Sequence, residues 1–112
     1  ERFLTHHNFE LQDDHLTLFV NGDGSEDKSH IVTYEIDEED MTVDEVWSYS
    51  SDSSPYVYAL GDVSQIHEDS LHITYSTAGY FEQLDDEDVV WTLKADLGYA
   101  FGYSNFYKSL YP

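Results

Sequence analysis

The chain has 112 residues, and its 24 acidic and 4 basic side chains give it a formal net charge of −20. This length suits one small domain, and an aromatic content of 16% is too high for a disordered chain. The charge opposes binding to nucleic acids and to anionic membranes, no apolar run is long enough to span a bilayer, and the lack of cysteine excludes disulfides and thiolate zinc sites.

β-Strand patterns, separated by acidic turns, account for most of the chain. In chain order, β-rich or alternating runs occupy residues 16–20, 30–36, 40–49, 89–93 and 99–103. The stretch Ser-Ser-Asp-Ser-Ser-Pro at 50–55 is the most linker-like part of the chain. Because a helical period is hard to find anywhere, the sequence predicts an all-β protein.

The two halves of the chain are related by an internal repeat. Residues 11–18 align with residues 66–73 at an offset of 55, which places Asp62 at the position of His7. Residues 45–49 align with residues 89–93, and each segment carries a Trp. Four antiparallel strands with a Trp in the last are typical of a β-propeller blade. We therefore predict two blade-like repeats within one structural unit, at 1–50 and 51–112, the second including a C-terminal strand.

Two blades do not close a ring, and their open faces and edges invite pairing with other chains. The chain starts at Glu1, without an initiator Met or a signal peptide, and stops at Pro112. We therefore expect a processed product or a part of a larger propeller. The expected partners are the remaining blades or further copies of the chain.

Six segments carry a pattern that continues through nearly the whole chain. They are Thr-His-His-Asn at 5–8, Leu-Thr-Leu-Phe-Val-Asn-Gly at 16–22, Ser-His-Ile-Val-Thr-Tyr-Glu-Ile-Asp at 29–37, Met-Thr-Val-Asp-Glu-Val-Trp-Ser-Tyr at 41–49, Gly-Asp-Val-Ser-Gln at 61–65 and Ser-Leu-Tyr-Pro at 109–112. In order and spacing they resemble the arylsulfotransferase family. The resemblance implies about the last two blades of a six-bladed propeller.

The resemblance also implies an activity, the PAPS-independent transfer of a sulfuryl group from an aryl sulfate to a phenol through a sulfurylated histidine. Imidazole is a good neutral nucleophile near pH 7, and a covalent relay divides one difficult displacement into two easier ones. By position, the implied catalytic residues are His7, Asn8 and the neighbouring His6, and the implied substrate-binding residues are His30 and Asp62. His30 stands where the family pattern has an Arg. The resemblance implies no cofactor and favours an extracellular or periplasmic location.

Other functions remain open from the residues alone. One alternative is a non-catalytic acidic β module that assembles into an oligomer or fibre, and another is a secreted module that binds divalent cations or carbohydrate. The acidic loop at 21–27 could hold Ca²⁺ weakly, but it lacks the sixth-position glycine and twelfth-position Glu of an EF-hand loop, and a plain acidic hairpin loop fits it better. No other metal site is predicted. The excess of acids also suits a high-salt environment, where their repulsion is screened.

The remaining histidines and aromatic residues have structural interpretations. We interpret His15, His67 and His72 as surface histidines. Trp47 and Trp91, at equivalent repeat positions, are predicted to pack blade against blade. The aromatic stretch at 99–107 is predicted to fill the last seam between blades.

Overall fold

The computed structural model describes residues 6–22, 28–96, 98, 100–102, 104, 105 and 107. The described strands form two four-stranded antiparallel sheets, in the orders β1-β2-β3-β4 and β5-β6-β7-β8. The strands are β1 His6–Gln12, β2 His15–Val20, β3 His30–Asp37, β4 Thr42–Tyr49, β5 Asp62–His67, β6 Ser70–Tyr75, β7 Tyr80–Asp85 and β8 Asp88–Lys94, with a 3-10 helix at Ser76–Ala78. The predicted all-β class with two tandem blade-like sheets is confirmed.

Neighbouring strands in each sheet are also neighbours along the chain, so short turns suffice to connect them. The acidic clusters of the sequence occupy these turns. Asp86 and Glu87, between β7 and β8, both have positive φ, of 49° and 68°. This is the mirror-image turn whose twist matches that of two paired strands.

Within the described residues, no helix is long and apolar enough to cross a membrane.

The two sheets share an irregularity at the same place. In β4, Val46 is the extra residue of a β-bulge beside Trp47, and in β8, Val90 is the extra residue of a bulge beside Trp91. A bulge bends its strand and increases the local twist. The sequence repeat therefore extends to the detailed register of both outermost strands.

Most of the core lies between the two sheets. Phe19 in β2 packs edge-to-face on Tyr75 in β6, with ring centroids 5.6 Å apart, and both side chains are fully buried. The buried cluster around them contains Phe19, Ile31, Val57, Val63, Ile73, Tyr75 and Leu84. Successive strand residues face opposite sides of a sheet. Val20 and Val32, which follow Phe19 and Ile31, form a second, smaller cluster with Tyr34.

A buried polar network also joins the sheets. Glu82 in β7 is fully buried and accepts a hydrogen bond from the Tyr49 hydroxyl of β4 at 2.8 Å. The Ser51 hydroxyl donates to the same carboxylate at 3.4 Å. The Tyr75 and Ser54 hydroxyls are 3.0 Å apart. Since buried polar groups are costly when unpaired, these contacts satisfy the network and fix the linker between the sheets.

Alkaline pH is expected to weaken this interface, because two of its phenols resist ionisation. Burial raises the pKa of Tyr49 to about 12, with a further contribution from the Glu82 carboxylate, and burial also raises the pKa of Tyr75. A tyrosine in an unfolded chain ionises near pH 10. From about pH 10 to 12 the unfolded state therefore loses protons that the native state keeps, so stability falls as the pH rises through this range.

Urea unfolding at pH 8, 10 and 11 measures this effect. The unfolding midpoint is expected to fall with pH, and to fall less steeply in Tyr49→Phe, which removes one of the two phenols. A midpoint that stays constant up to pH 11 would contradict the assignment of a protected phenol to this interface.

His72 corrects one sequence interpretation. It is not a surface histidine, since its side chain is only 5% exposed. It alternates with core residues and so lies on the face of the second sheet that is turned away from the first, near the rings of Phe81 and Trp91. Its Nε2 is 2.6 Å from the Ser104 hydroxyl oxygen. Burial by this C-terminal residue and the two rings lowers the pKa of His72.

C-terminal residues therefore cover part of the outer face of the second sheet. Phe101 packs edge-to-face on Phe81, with centroids 5.3 Å apart. The predicted strand at 99–103 lies partly outside the described residues, and Ala100 and Phe101 do not belong to a strand. Of the aromatic stretch, only Phe101 and Tyr107 are described.

The two repeat tryptophans have different surroundings. Trp47 packs against the core cluster and donates its indole N–H to Glu87 of the second sheet at 2.9 Å, so it joins the sheets as predicted. Trp91 lies beside His72 and donates to Gln83 within its own sheet at 2.6 Å. Its face of the second sheet meets C-terminal residues rather than another sheet.

Candidate functional site

The starts of the two innermost strands, β1 and β5, lie side by side. His7 is opposite Phe19 in the first sheet, and Asp62 is opposite Thr74 in the second. Asp62 follows His7 by 55 residues and Thr74 follows Phe19 by 55 residues, which is the offset of the sequence repeat. Equivalent positions of the two repeats therefore meet at one end of the sheets.

The ring of His7 contacts the backbone just before β5. Its Nδ1 is 2.9 Å from the carbonyl oxygen of Gly61. A carbonyl oxygen only accepts hydrogen bonds, so Nδ1 carries the hydrogen in neutral His7 and Nε2 keeps its lone pair. Because the His7 side chain is exposed, a nucleophilic nitrogen is available at the surface of this end.

Asn8 and Asp62 form the second contact of the site. The side-chain amide of Asn8 donates to a carboxylate oxygen of Asp62, and its oxygen accepts from the backbone N–H of Phe9 at 2.9 Å. Asn8 is the bulged residue of β1 and has a φ of 55°, a left-handed conformation that asparagine tolerates better than most residues. The bulge thus turns Asn8 towards the neighbouring sheet.

Asp62 is only 5% exposed, which opposes its ionisation. Burial raises the pKa of Asp62, and the hydrogen bond from Asn8 partly counteracts this effect. The unfolded chain ionises this carboxyl near its ordinary value. The native state therefore holds an extra proton just above that pH, and the cost of the buried charge grows as the pH rises through this window.

Replacing Asp62 by asparagine is expected to stabilise the protein at pH 7. An amide oxygen can still accept from Asn8, while the desolvation cost of the carboxylate disappears. The advantage should shrink towards pH 3, where the parent carboxyl is protonated in both states. Urea unfolding midpoints of Asp62→Asn at pH 7 and pH 3.5, compared with the exposed control Asp44→Asn, test this. A lower midpoint at pH 7 would mean that the bond to Asn8 outweighs burial.

The Gly61 carbonyl is the part of the site that sequence reasoning missed. Gly61 has a φ of +119°, and a Cβ atom at this position would overlap the ring of Phe19. Glycine is therefore required both for its backbone conformation and for the close approach of the ring. The glycine of the Gly-Asp pair at 61–62 could have indicated this contact from the sequence, because a glycine beside a strand commonly marks a close approach of another group.

Comparison with protein-family models finds a match to "Arylsulfotransferase (ASST)" over residues 2–101. The chain belongs to the arylsulfotransferase family. Neither the comparison with curated proteins nor the comparison with solved structures finds a match.

Three of the five site positions that the family resemblance and the internal repeat indicated come together, namely His7, Asn8 and Asp62. The other two lie on one row across the first sheet, because His6 is opposite Val20 and Val20 is opposite His30. Two strand spacings separate His6 from His30, about 10 Å. His30 is thus at the same end of the sheet but away from the contacts of His7.

Few of the cations that could bind an aryl sulfate are described. Arg2, the single arginine, lies outside the described residues, as does Lys108. Lys28 donates to the Ser51 carbonyl oxygen at 2.9 Å, and Lys94 is on the outermost strand β8. Neither observation places a positive charge beside His7 among the residues that the structure describes.

A concave region lies at the other end of the sheets, away from His7. A cavity of about 670 Å³ lies between the hairpin turns, with Trp47 and Leu71 in its wall and Asp13, Asp86 and Glu87 among its acidic residues. Among the described residues, no group of three or more side chains is arranged to hold a metal ion. The acidic loop considered for Ca²⁺ falls at residues 23–27 outside the described part.

Proposed function

We propose that this chain supplies two blades of a propeller that transfers a sulfuryl group from an aryl sulfate to a phenol. His7 Nε2 attacks the sulfur, an N–S bond forms, and the bond from sulfur to the aryl oxygen breaks. The phenolate leaves and takes a proton from water. A second phenol then attacks the sulfur, the N–S bond breaks, the acceptor loses its proton to water, and His7 is again neutral.

The contact of His7 Nδ1 with the Gly61 carbonyl oxygen carries this proposal. It leaves the lone pair on the exposed nitrogen, which is what a nucleophilic imidazole requires. The family membership of the chain supports the reaction class. Asn8 and Asp62 complete the immediate surroundings of His7, with Asn8 held in place by its bond to the carboxylate.

The reaction also needs donors for the oxygens of the sulfuryl group. A net charge of −20 repels an aryl sulfate at low salt. We infer that cationic donors come from further blades, supplied by the rest of a longer chain or by other copies. Salt near 1 M, where the Debye length is about 3 Å, should raise the rate by screening this repulsion.

Release of a chromogenic phenolate from an aryl sulfate, in the presence of an acceptor phenol, tests the proposal in the assembled protein. We expect His7→Ala to reduce transfer by on the order of 10³-fold or more, as for loss of a covalent nucleophile. The control His67→Ala removes another exposed histidine and should leave transfer intact. Peptide mass spectrometry should find the sulfuryl group on His7. Undiminished transfer in His7→Ala would overturn the assignment.

Self-assembly without catalysis is the second candidate function, and exposed apolar side chains favour it. Phe9 and Leu11 on β1 are 64% and 57% exposed, and Leu93 on β8 is 55% exposed. Phe9 and Leu11 lie two residues apart on β1 and so share one face, and exposed apolar patches commonly mark interaction sites. In a closed propeller, the same side chains would meet neighbouring blades.

Light scattering at low and high salt separates the two candidates. A trimer would fit three two-blade units in a six-bladed ring and would place three copies of His7 around one channel. A polydisperse or fibrous species would favour the structural role. A folded monomer would contradict both the ring made of copies and the self-assembling module.

A further inference from the structure

We propose that Asn21 is a positioning residue for His7, acting through the peptide that joins Leu60 to Gly61. The inference rests on the proposed role of His7 as nucleophile. Asn21 follows β2 in the first sheet, whereas Leu60 and Gly61 end the linker that leads to β5.

The side chain of Asn21 is held in one orientation. It is 1% exposed, and its amide nitrogen donates to the carbonyl oxygens of Val57 at 2.9 Å and Leu60 at 2.6 Å. An amide has two N–H donors, and both are used here. Rotation by half a turn would place the side-chain oxygen against two carbonyl oxygens. The two carbonyl groups therefore determine the orientation of the Asn21 amide, and its two hydrogen bonds hold the Val57 and Leu60 carbonyl groups in place.

Fixing the Leu60 carbonyl fixes the whole peptide plane that precedes Gly61, because a peptide bond is planar. Leu60 itself has a φ of 60°, an unfavourable conformation for a leucine, which needs support from its surroundings. The Phe19 ring also lies so close to Gly61 that no side chain fits there. Since β5 begins at Asp62, the Gly61 carbonyl has little freedom left and points at His7.

The direction of this carbonyl decides which nitrogen of His7 is nucleophilic. A neutral imidazole can carry its hydrogen on either nitrogen, and the hydrogen bond to one nitrogen selects the tautomer. With Gly61 in place, the hydrogen is on Nδ1 and the lone pair on Nε2. If the carbonyl turned away, His7 would interconvert between both tautomers. At metal sites, removal of the partner that orients a ligating histidine changes affinity or activity by roughly 10- to 100-fold, and we expect a loss of similar order here.

Nitrogen-15 NMR of His7 in the complete chain measures the tautomer without any need for activity. The parent protein is expected to show His7 as the Nδ1–H form. In Asn21→Ser, whose hydroxyl cannot reach both carbonyl groups, we expect a mixture of the two forms. Ser29→Ala is the matched control, because the buried Ser29 binds the Val57 backbone and the Asn21 carbonyl but has no hydrogen bond to Leu60 or Gly61. It should keep a single tautomer even though it weakens the same linker.

Should Asn21→Ser fail to fold, Phe19→Leu removes the ring that confines Gly61 and is expected to give the same mixture. An Nε2–H form in the parent protein would overturn the inference, as would a single Nδ1–H form in a folded Asn21→Ser protein. So would equal mixing in Ser29→Ala. A tautomer that responds as expected in a protein without sulfuryl transfer would instead refute the proposed function and leave the positioning role intact.

Discussion

Gly61→Ala is expected to lose about 4 kcal/mol of stability, from a strained backbone and an overpacked contact that each cost roughly 1–3 kcal/mol. The φ of +119° suits glycine and few other residues, and the new methyl group would overlap the Phe19 ring. A small domain has about 5–15 kcal/mol in total. The variant should therefore unfold at much lower urea concentrations, and the displaced carbonyl should release His7.

Gly98→Ala is the matched control for this prediction. Gly98 also has a positive φ, of 68°, but an added Cβ would meet no atom within 4 Å. Its loss should be limited to the backbone cost. If both alanine variants unfold at the same urea concentration, the contact between Gly61 and Phe19 has no energetic role. Combining Gly61→Ala with Phe19→Leu should cost less than the two single losses together, because the smaller side chain leaves room.

Phe19→Ala is expected to destabilise the protein by about 3–5 kcal/mol, the usual loss when a buried aromatic ring is truncated. Phe19 is fully buried, packs edge-to-face on Tyr75 and so connects the two sheets. The cavity opens at the centre of their shared core. Both sheets should therefore lose stability together. Urea unfolding followed by tryptophan fluorescence measures this, because Trp47 reports on the first sheet and Trp91 on the second.

The control, Phe9→Ala, removes the same side chain from the adjoining strand β1, where it is 64% exposed. A surface substitution of this kind usually changes stability by about 0.5 kcal/mol or less. Equal losses at positions 9 and 19 would refute a core between the sheets. Separate unfolding transitions at Trp47 and Trp91 would show that the sheets are independent.

The strands and their division into two sheets could be predicted from the sequence, because the patterns that indicate them are local or repeated. Alternation in β3 and in β8, acidic turns and the repeat of the Trp segment indicated two sets of four strands. The structure adds that the repeat includes the bulges beside both tryptophans. His72 was misread because alternation with Leu71 and Ile73 shows only that it faces away from the core. Whether C-terminal residues cover that face depends on contacts some thirty residues away, such as its bond to Ser104.

The site was only half predictable for a related reason. The repeat offset placed Asp62 at the equivalent of His7, and the family pattern indicated His7 and Asn8. The Gly61 carbonyl and the Asn21 amide left no periodic signal, since they lie at a strand end and in an irregular linker. Their partners are 36 to 54 residues apart in the sequence. Local patterns cannot supply such pairings.

The matching bulges at Val46 and Val90 also limit how copies of this chain can aggregate. An outermost strand with regular spacing presents a continuous row of backbone donors and acceptors, on which a further strand can be added. An extra residue interrupts that spacing and twists the rim of each sheet, and the carboxylates of Asp44 and Asp88 repel an approaching copy. Addition of a further strand to β4 or to β8 is therefore disfavoured. Copies that associate should therefore do so through exposed apolar side chains such as Phe9 and Leu11 rather than by strand addition to β4 or β8.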